Sequence, residues 1–152
     1  PYDGRFDIDF AHDGSSLFIL ELLSTSSQGA EFEPRLLKYS LSTAWDVSTA
    51  DMDNPTIHSF RDYNNSTREA GFTFGGNGTK LFVVDRGGDT GSGIREYSLA
   101  TPYDISNMTE IRVTSLDDEW ISNSFYNIEL SADNTKVFLS VHGHQINETI
   151  SK

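Results

Sequence analysis

A short pattern recurs three times along the chain, and that recurrence limits the fold to a stack of self-similar units. FDIDFAHDGSSLFIL (6–20) returns as GFTFGGNGTKLFVV (71–84) and again as FYNIELSADNTKVFLS (125–140). A companion pattern alternates with it, LLKYSLSTAWDVSTA (36–50) and IREYSLATPYDISNM (94–108). Two different anchors returning in the same order are the mark of a repeat architecture. A β-sandwich explains short strands at regular spacing, but not an ordered pair of recurring anchors.

The anchors also set the size of the unit. Asp13-Gly14 steps 64 residues to Asn77-Gly78 and another 56 to Asp133-Asn134, while Tyr39 steps 58 residues to Tyr97. The longer first step has a local cause. Asp13 and Tyr39 are 26 residues apart but Asn77 and Tyr97 only 20, so the first copy carries a longer loop, SSQGAEFEP (26–34). Surface loops tolerate such insertions.

Alternation and turn chemistry divide each unit into four short strands. Strand one turns Phe6, Ile8 and Phe10 inward, as do Phe72 and Phe74, then Ile128 and Leu130. The Asp-Gly, Asn-Gly and Asp-Asn turns tolerate the positive φ that a tight hairpin demands. Strand two (Leu17–Leu20, Leu81–Val84, Val137–Leu139) is apolar nearly throughout and is predicted to be the most buried segment of each unit. Strand three covers 36–41 and 94–99, and strand four 56–60 and 110–114. The expected fold is all-β: tandem four-stranded antiparallel blades of β-propeller type. The units are residues 1–70, 71–124 and a partial third, 125–152, about two and a half blades in all.

Equal spacing also predicts that Tyr39 matches Tyr97 and that Trp45 matches Tyr103, because six residues separate tyrosine from aromatic in both copies. Trp45 and Tyr103 are expected to plug the gap between neighbouring blades, alike in burial. Asp46 and Asp104 are expected to cap the following turn.

Composition narrows the partners. Hydrophobic residues make up only 36%, but aromatics reach 12% and recur at strand spacing, which argues against disorder despite a net charge of −12. The same charge disfavours nucleic acid or an anionic membrane as partner. The absence of cysteine removes disulfides and thiolate metal sites, leaving packing to stabilise the fold. No apolar run approaches the roughly 18 residues of a membrane span. A chain that starts at Pro1 without a signal peptide is expected to be a processed product or a segment of something longer.

DGSSLFIL (13–20) and NGTKLFVV (77–84), followed by YSLSTAWDVS (39–48) and YSLATPYDIS (97–106), carry a resemblance. The combination resembles repeats of bacterial, phage and environmental proteins predicted to be β-propellers. Its strand-two half is similar to the YVTN-type propellers of surface and cell-wall proteins. The resemblance covers nearly the whole chain and implies an extracellular or cell-surface propeller, usually within a large protein. It implies no reaction.

Two and a half blades do not close a ring of four to eight. Exposed apolar faces then point to further repeats of a longer chain or to identical copies, assembled as a closed ring or an open filament, with the filament slightly favoured.

Candidate site residues are weighed in the same way. Five N-x-[ST] sequons occur, at Asn64, Asn65, Asn77, Asn107 and Asn147. The hairpin position of Asn77 suits positive φ better than a glycan, leaving Asn64, Asn65, Asn107 and Asn147 as glycosylation candidates. Asp85 and Asp89 in the Gly-rich loop DRGGDTGSG (85–93) are the candidate calcium ligands, though the spacing of known calcium loops is absent. Asp117, Asp118 and Glu119 form a second acidic cluster; His142 and His144 flank a glycine without a third ligand. No G-x-S-x-G, H-E-x-x-H or phosphate loop is present, so no cofactor and no catalytic residue is expected. The expected function is a non-enzymatic extracellular structural or assembly protein. The alternatives are a segment of a propeller enzyme such as a lactonase-like hydrolase, whose acids or histidines would converge on the ring axis, or a carbohydrate-binding adhesion module that stacks Trp120 or Tyr126 on sugars.

Overall fold

Each repeat anchor is closed by the chemistry of its own residues. The Asp13 carboxylate accepts from the Ser15 N–H at 2.9 Å, and Asp133 accepts from that of Thr135 at 3.1 Å. The next residue has positive φ: 72° at Gly14, 85° at Gly78 and 56° at Asn134. This region is open to glycine and tolerated by asparagine. In the second copy Asn77 is also left-handed, at φ 53°, in keeping with its place in the turn.

The computed structural model describes residues 7–24, 32–60, 69–85, 93–116 and 124–142, and among these the chain is all-β apart from three single 3-10 turns. Strands β1 (Asp7–Phe10), β2 (Ser16–Ser24), β3 (Phe32–Ser40) and β4 (Thr56–Ser59) form one antiparallel sheet in chain order. A second sheet repeats the plan with β5 (Glu69–Gly75), β6 (Lys80–Asp85), β7 (Gly93–Leu99) and β8 (Met108–Ser115). The third sheet pairs β9 (Ser124–Leu130) with β10 (Val137–His142). One boundary moves. Leu23 stands opposite Glu33 and Ser24 opposite Phe32, so the end of the expected 26–34 loop belongs to the β2–β3 hairpin.

Because strand side chains alternate, register decides which residues share a face. On the first sheet Ile8, Ile19, Leu37 and Ile57 form one row across the strands, and Phe10, Leu17 and Tyr39 form the next. This is the front face. Phe18, Leu20 and Leu36 point the other way, to the back. On the second sheet Phe72, Val83 and Arg95, with Phe74, Leu81 and Tyr97, make the equivalent front.

The main core lies between sheets. The back of the first sheet (Phe18, Leu20, Leu36) packs on the front of the second (Phe72, Leu81, Val83, Tyr97). Phe18 is fully buried, its ring 4.5 Å from Phe74 and 6.1 Å from Tyr103. A second core joins the back of the second sheet (Val84, with Phe82 and Ile94) to Phe125, Ile128 and Leu139 of the third. The first strands of the three sheets draw together, with β5 beside both β1 and β9. At Gly71 a Cβ would stand 2.7 Å from the Asn127 Cα, so this approach requires glycine.

Burial departs from expectation at the two ends of the stack. The second strands β2 and β6 are buried as predicted, but in β10 Val137 is 44% and Phe138 57% exposed. Ile8, expected to point inward, is 57% exposed, whereas its equivalent Phe72 is 2% exposed. The pattern assigned each residue to a face correctly. For Ile8 and Phe138, what differs is whether a described neighbouring sheet covers that face.

Candidate functional site

The connection after the third strand is the most faithfully repeated piece of the molecule. Trp45 N–H donates to the Gly14 carbonyl at 3.0 Å, and Tyr103 N–H to that of Gly78 at 2.9 Å. Both aromatic residues have positive φ, 66° and 61°. Each ring lies flat against its glycine, so that a Cβ on Gly14 or Gly78 would meet ring atoms at 2.4 Å. Asp46 accepts from Ser48 N–H at 3.0 Å and from its hydroxyl at 2.6 Å, and Asp104 makes the same two bonds to Ser106 at the same distances. The two turns share one shape, as the six-residue spacing predicts, and the two aspartates cap them.

Burial separates the two copies. Tyr103 packs into the core between the first and second sheets, but Trp45 is 59% exposed. The expectation that Trp45 plugs a gap like its counterpart therefore fails, because no sheet among the described residues presses on it. Val47 is likewise 55% exposed where its equivalent Ile105 is fully buried. The front of the first sheet thus has an exposed apolar margin, Ile8, Trp45, Val47 and Ile57, around a buried centre. Leu17, Leu37, Tyr39 and Leu41 form its floor, with Phe10 and Ile19 against them. Tyr39 and Tyr97 occupy equivalent positions, both 8% exposed.

The inner strands carry a second feature. Asp7 Oδ2 accepts from the Phe72 N–H of the neighbouring sheet at 2.7 Å, and its Oδ1 from Ile8 at 3.0 Å. Asp9 accepts from Phe10 N–H at 2.7 Å and is also held by the Phe74 N–H. Burial pushes both carboxyls above the usual range, against the lowering effect of these bonds. Glu129 on β9 is pushed up by burial and then by the charges of Asp9 and Asp7. Asp9 and Glu129 line a cleft of about 350 Å³ at the hairpin ends of β1, β5 and β9, together with His12, Tyr103 and Asn134. The His12 N–H donates to the Tyr103 hydroxyl at 3.1 Å, tying the first turn to the second sheet. The cleft favours the protonated form of the Asp9 and Glu129 carboxyls. Among the described residues no group of three or more His, Asp or Glu is arranged to hold a metal ion.

The structure leaves the predicted sites apart. Asp85 is buried on the front of the second sheet with Arg95 at 3.0 Å, and Arg95 also reaches Glu110 at 3.0 Å. A carboxylate so paired is spent on packing, and the other calcium candidate, Asp89, lies outside the described residues. Asn107 sits exposed in the turn after Asp104, its amide 3.2 Å from the Ser106 hydroxyl. Asn64, Asn65 and Asn147 lie outside the described residues, as do Asp117, Asp118, Glu119, Trp120 and His144. Tyr126 is exposed on β9.

Sequence reasoning passed over Asp7, Asp9, Glu129 and His58. The first three look like the ordinary polar half of an alternating strand, and only the approach of a second sheet gives them work. His58 on β4 is half-buried, its ring edge-on to Phe60 at 5.0 Å and Tyr97 at 6.5 Å. Burial holds its pKa below the ordinary value, against a raising hydrogen bond to the Ile105 backbone. Comparison with family models, with curated proteins and with solved structures found no match to this chain.

Proposed function

We propose that this chain is a non-enzymatic structural and assembly module, a run of β-propeller-type repeats that works at the cell surface or outside the cell and completes its packing against further sheets. One observation carries the reading. The same front face meets a neighbouring sheet in the second unit and leaves its margin exposed in the first, as Phe72 and Ile105 against Ile8 and Val47 attest. An apolar face of this kind marks an interaction surface rather than a place for water. The recurring anchors and the acidic charge fit a soluble, repetitive scaffold, and the resemblance to surface propellers supports a surface location.

A test is the mass and shape of the purified particle, by sedimentation and negative-stain electron microscopy. The module reading expects a ring or filament of repeated sheets, or a longer chain that contains this one. A monodisperse 16.9 kDa species with cooperative unfolding would sink it.

A second reading, a segment of a propeller enzyme, draws on the carboxylates of the inner strands. Asp7, Asp9 and Glu129 gather where such an enzyme would place its acids, although Asp7 and Asp9 already accept backbone N–H groups. Loss of a metal-dependent hydrolase activity in Asp9→Asn and Glu129→Gln, with the fold intact, would favour this reading.

A further inference from the structure

The geometry points to a second copy of this chain as the occupant of the open front face, docked through the back of its third sheet with Phe138 as the plug. This inference rests on the module reading and names its partner. The contact already made inside the chain supplies the template. There Phe18, at the centre of β2, enters a cradle formed by Phe74 and Tyr103, whose rings are 5.1 Å apart. On the open face the equivalent rings are Phe10 and Trp45, 5.4 Å apart. The cradle is already assembled, and its Trp45 stands 59% exposed.

The plug is equally present. Phe18, Phe82 and Phe138 occupy one repeat position. Phe18 fills the first interface and Phe82 packs in the second. Phe138 is the third of the series, and it stands 57% exposed on β10. Its neighbours repeat the template too. Asn127 and Glu129 stand on the inner strand where Asp7 and Asp9 stand on the first, and Asn127 Oδ1 accepts from Ile128 N–H as Asp7 Oδ1 does from Ile8. The front of the first sheet and the back of the third are therefore halves of the contact made inside the chain.

A contact between two different faces is heterologous, so each added copy leaves one cradle and one plug free. Growth then continues unless the rotation closes a ring. With a charge of −12 on each copy, long-range repulsion opposes an apolar contact, and added salt should strengthen association by screening it.

The experiment is sedimentation velocity across the micromolar range, at low and high salt, on wild type, Phe138→Glu and Ile8→Glu. Both side chains are 57% exposed, so neither substitution buries a charge within the single chain. Wild type is expected to grow in mass with concentration and with salt. Each variant alone should fall to the single 16.9 kDa species, and an equimolar mixture of the two should stop at twice that mass. In that mixture only one sound cradle meets one sound plug.

Phe138→Glu that associates like wild type overturns the inference and leaves the module reading standing, since the open face then takes something else. An isolated chain that folds only when a further repeat is fused ahead of Pro1 also overturns it, assigning the face to a covalent neighbour. A folded wild type that stays at 16.9 kDa under all conditions removes both readings.

Discussion

Gly14 and Gly78 occupy the same repeat position, and the Gly→Ala substitution should cost different amounts at the two. Their φ values are 72° and 85°, where an added Cβ costs about 1–2 kcal/mol in backbone energy at either site. At both, the new methyl would meet an aromatic ring at 2.4 Å, too close to be tolerated without movement. At Gly14 the ring belongs to Trp45, which is largely in solvent and can swing aside. At Gly78 it belongs to Tyr103, which is packed against Phe18 and Phe74 and holds the His12 N–H. Forcing that ring outward adds the overpacking cost of about 1–3 kcal/mol. Gly14→Ala should therefore destabilise by about 1–2 kcal/mol and Gly78→Ala by about 2–5 kcal/mol. Urea unfolding at the lowest workable concentration, read as midpoint and slope, measures both. Equal losses in a monomeric sample would refute the reasoning, since they would mean that Trp45 is as confined as Tyr103. If copies dock on the open face, the two costs should converge as concentration rises.

Three further outcomes follow from described contacts. Val83 is fully buried between the first and second sheets, so Val83→Asp should cost several kcal/mol in a thermal melt, as an unpaired buried charge does. Asp7→Asn keeps an acceptor for the Phe72 N–H and removes a desolvated charge, so urea unfolding at neutral pH should shift by less than about 1 kcal/mol. Asp7→Ala strands that buried N–H and should cost about 1–3 kcal/mol. His58 has a folded pKa below its ordinary 6.5, so the unfolded chain takes up the proton first and stability is lost as pH falls through that value. Asp7 and Asp9, with raised folded values, act in the opposite sense and add stability as pH falls toward 3.8. The difference in Tm between wild type and His58→Phe should thus fall with acidity between neutrality and pH 5, and a flat difference would remove the assignment.

The turns were the most legible part of this fold, because the residues that demand them act locally. Asp13, Asn77 and Asp133 announce a hairpin whatever surrounds it, and the YSL-to-DVS and YSL-to-DIS blocks carry a whole turn with its cap. Faces were legible as well, since a period of two assigns Ile8 and Ile19 to one side without knowledge of the fold. Coverage was not. Ile8 and Phe72 are interchangeable as patterns, and only the presence of a neighbouring sheet distinguishes them. The same limit hid Asp7 and Asp9, whose acceptors are used by an N–H more than sixty residues away in the chain. Asp85 invited a calcium reading because its partner Arg95 lies on the next strand, beyond the reach of a loop motif.

Every strand in the described sheets pairs with the strand next to it in sequence. No described segment returns across a sheet, so a unit is finished when its last strand is laid down. During synthesis the first sheet can form its ladders before the second leaves the ribosome, though its back face stays bare until β5 and β6 arrive. Gene duplication meets the same freedom. A whole unit can be inserted or lost between β4 and β5 without rethreading any strand. The length of such a protein can therefore drift by whole units, each change judged only by whether the newly adjacent faces fit.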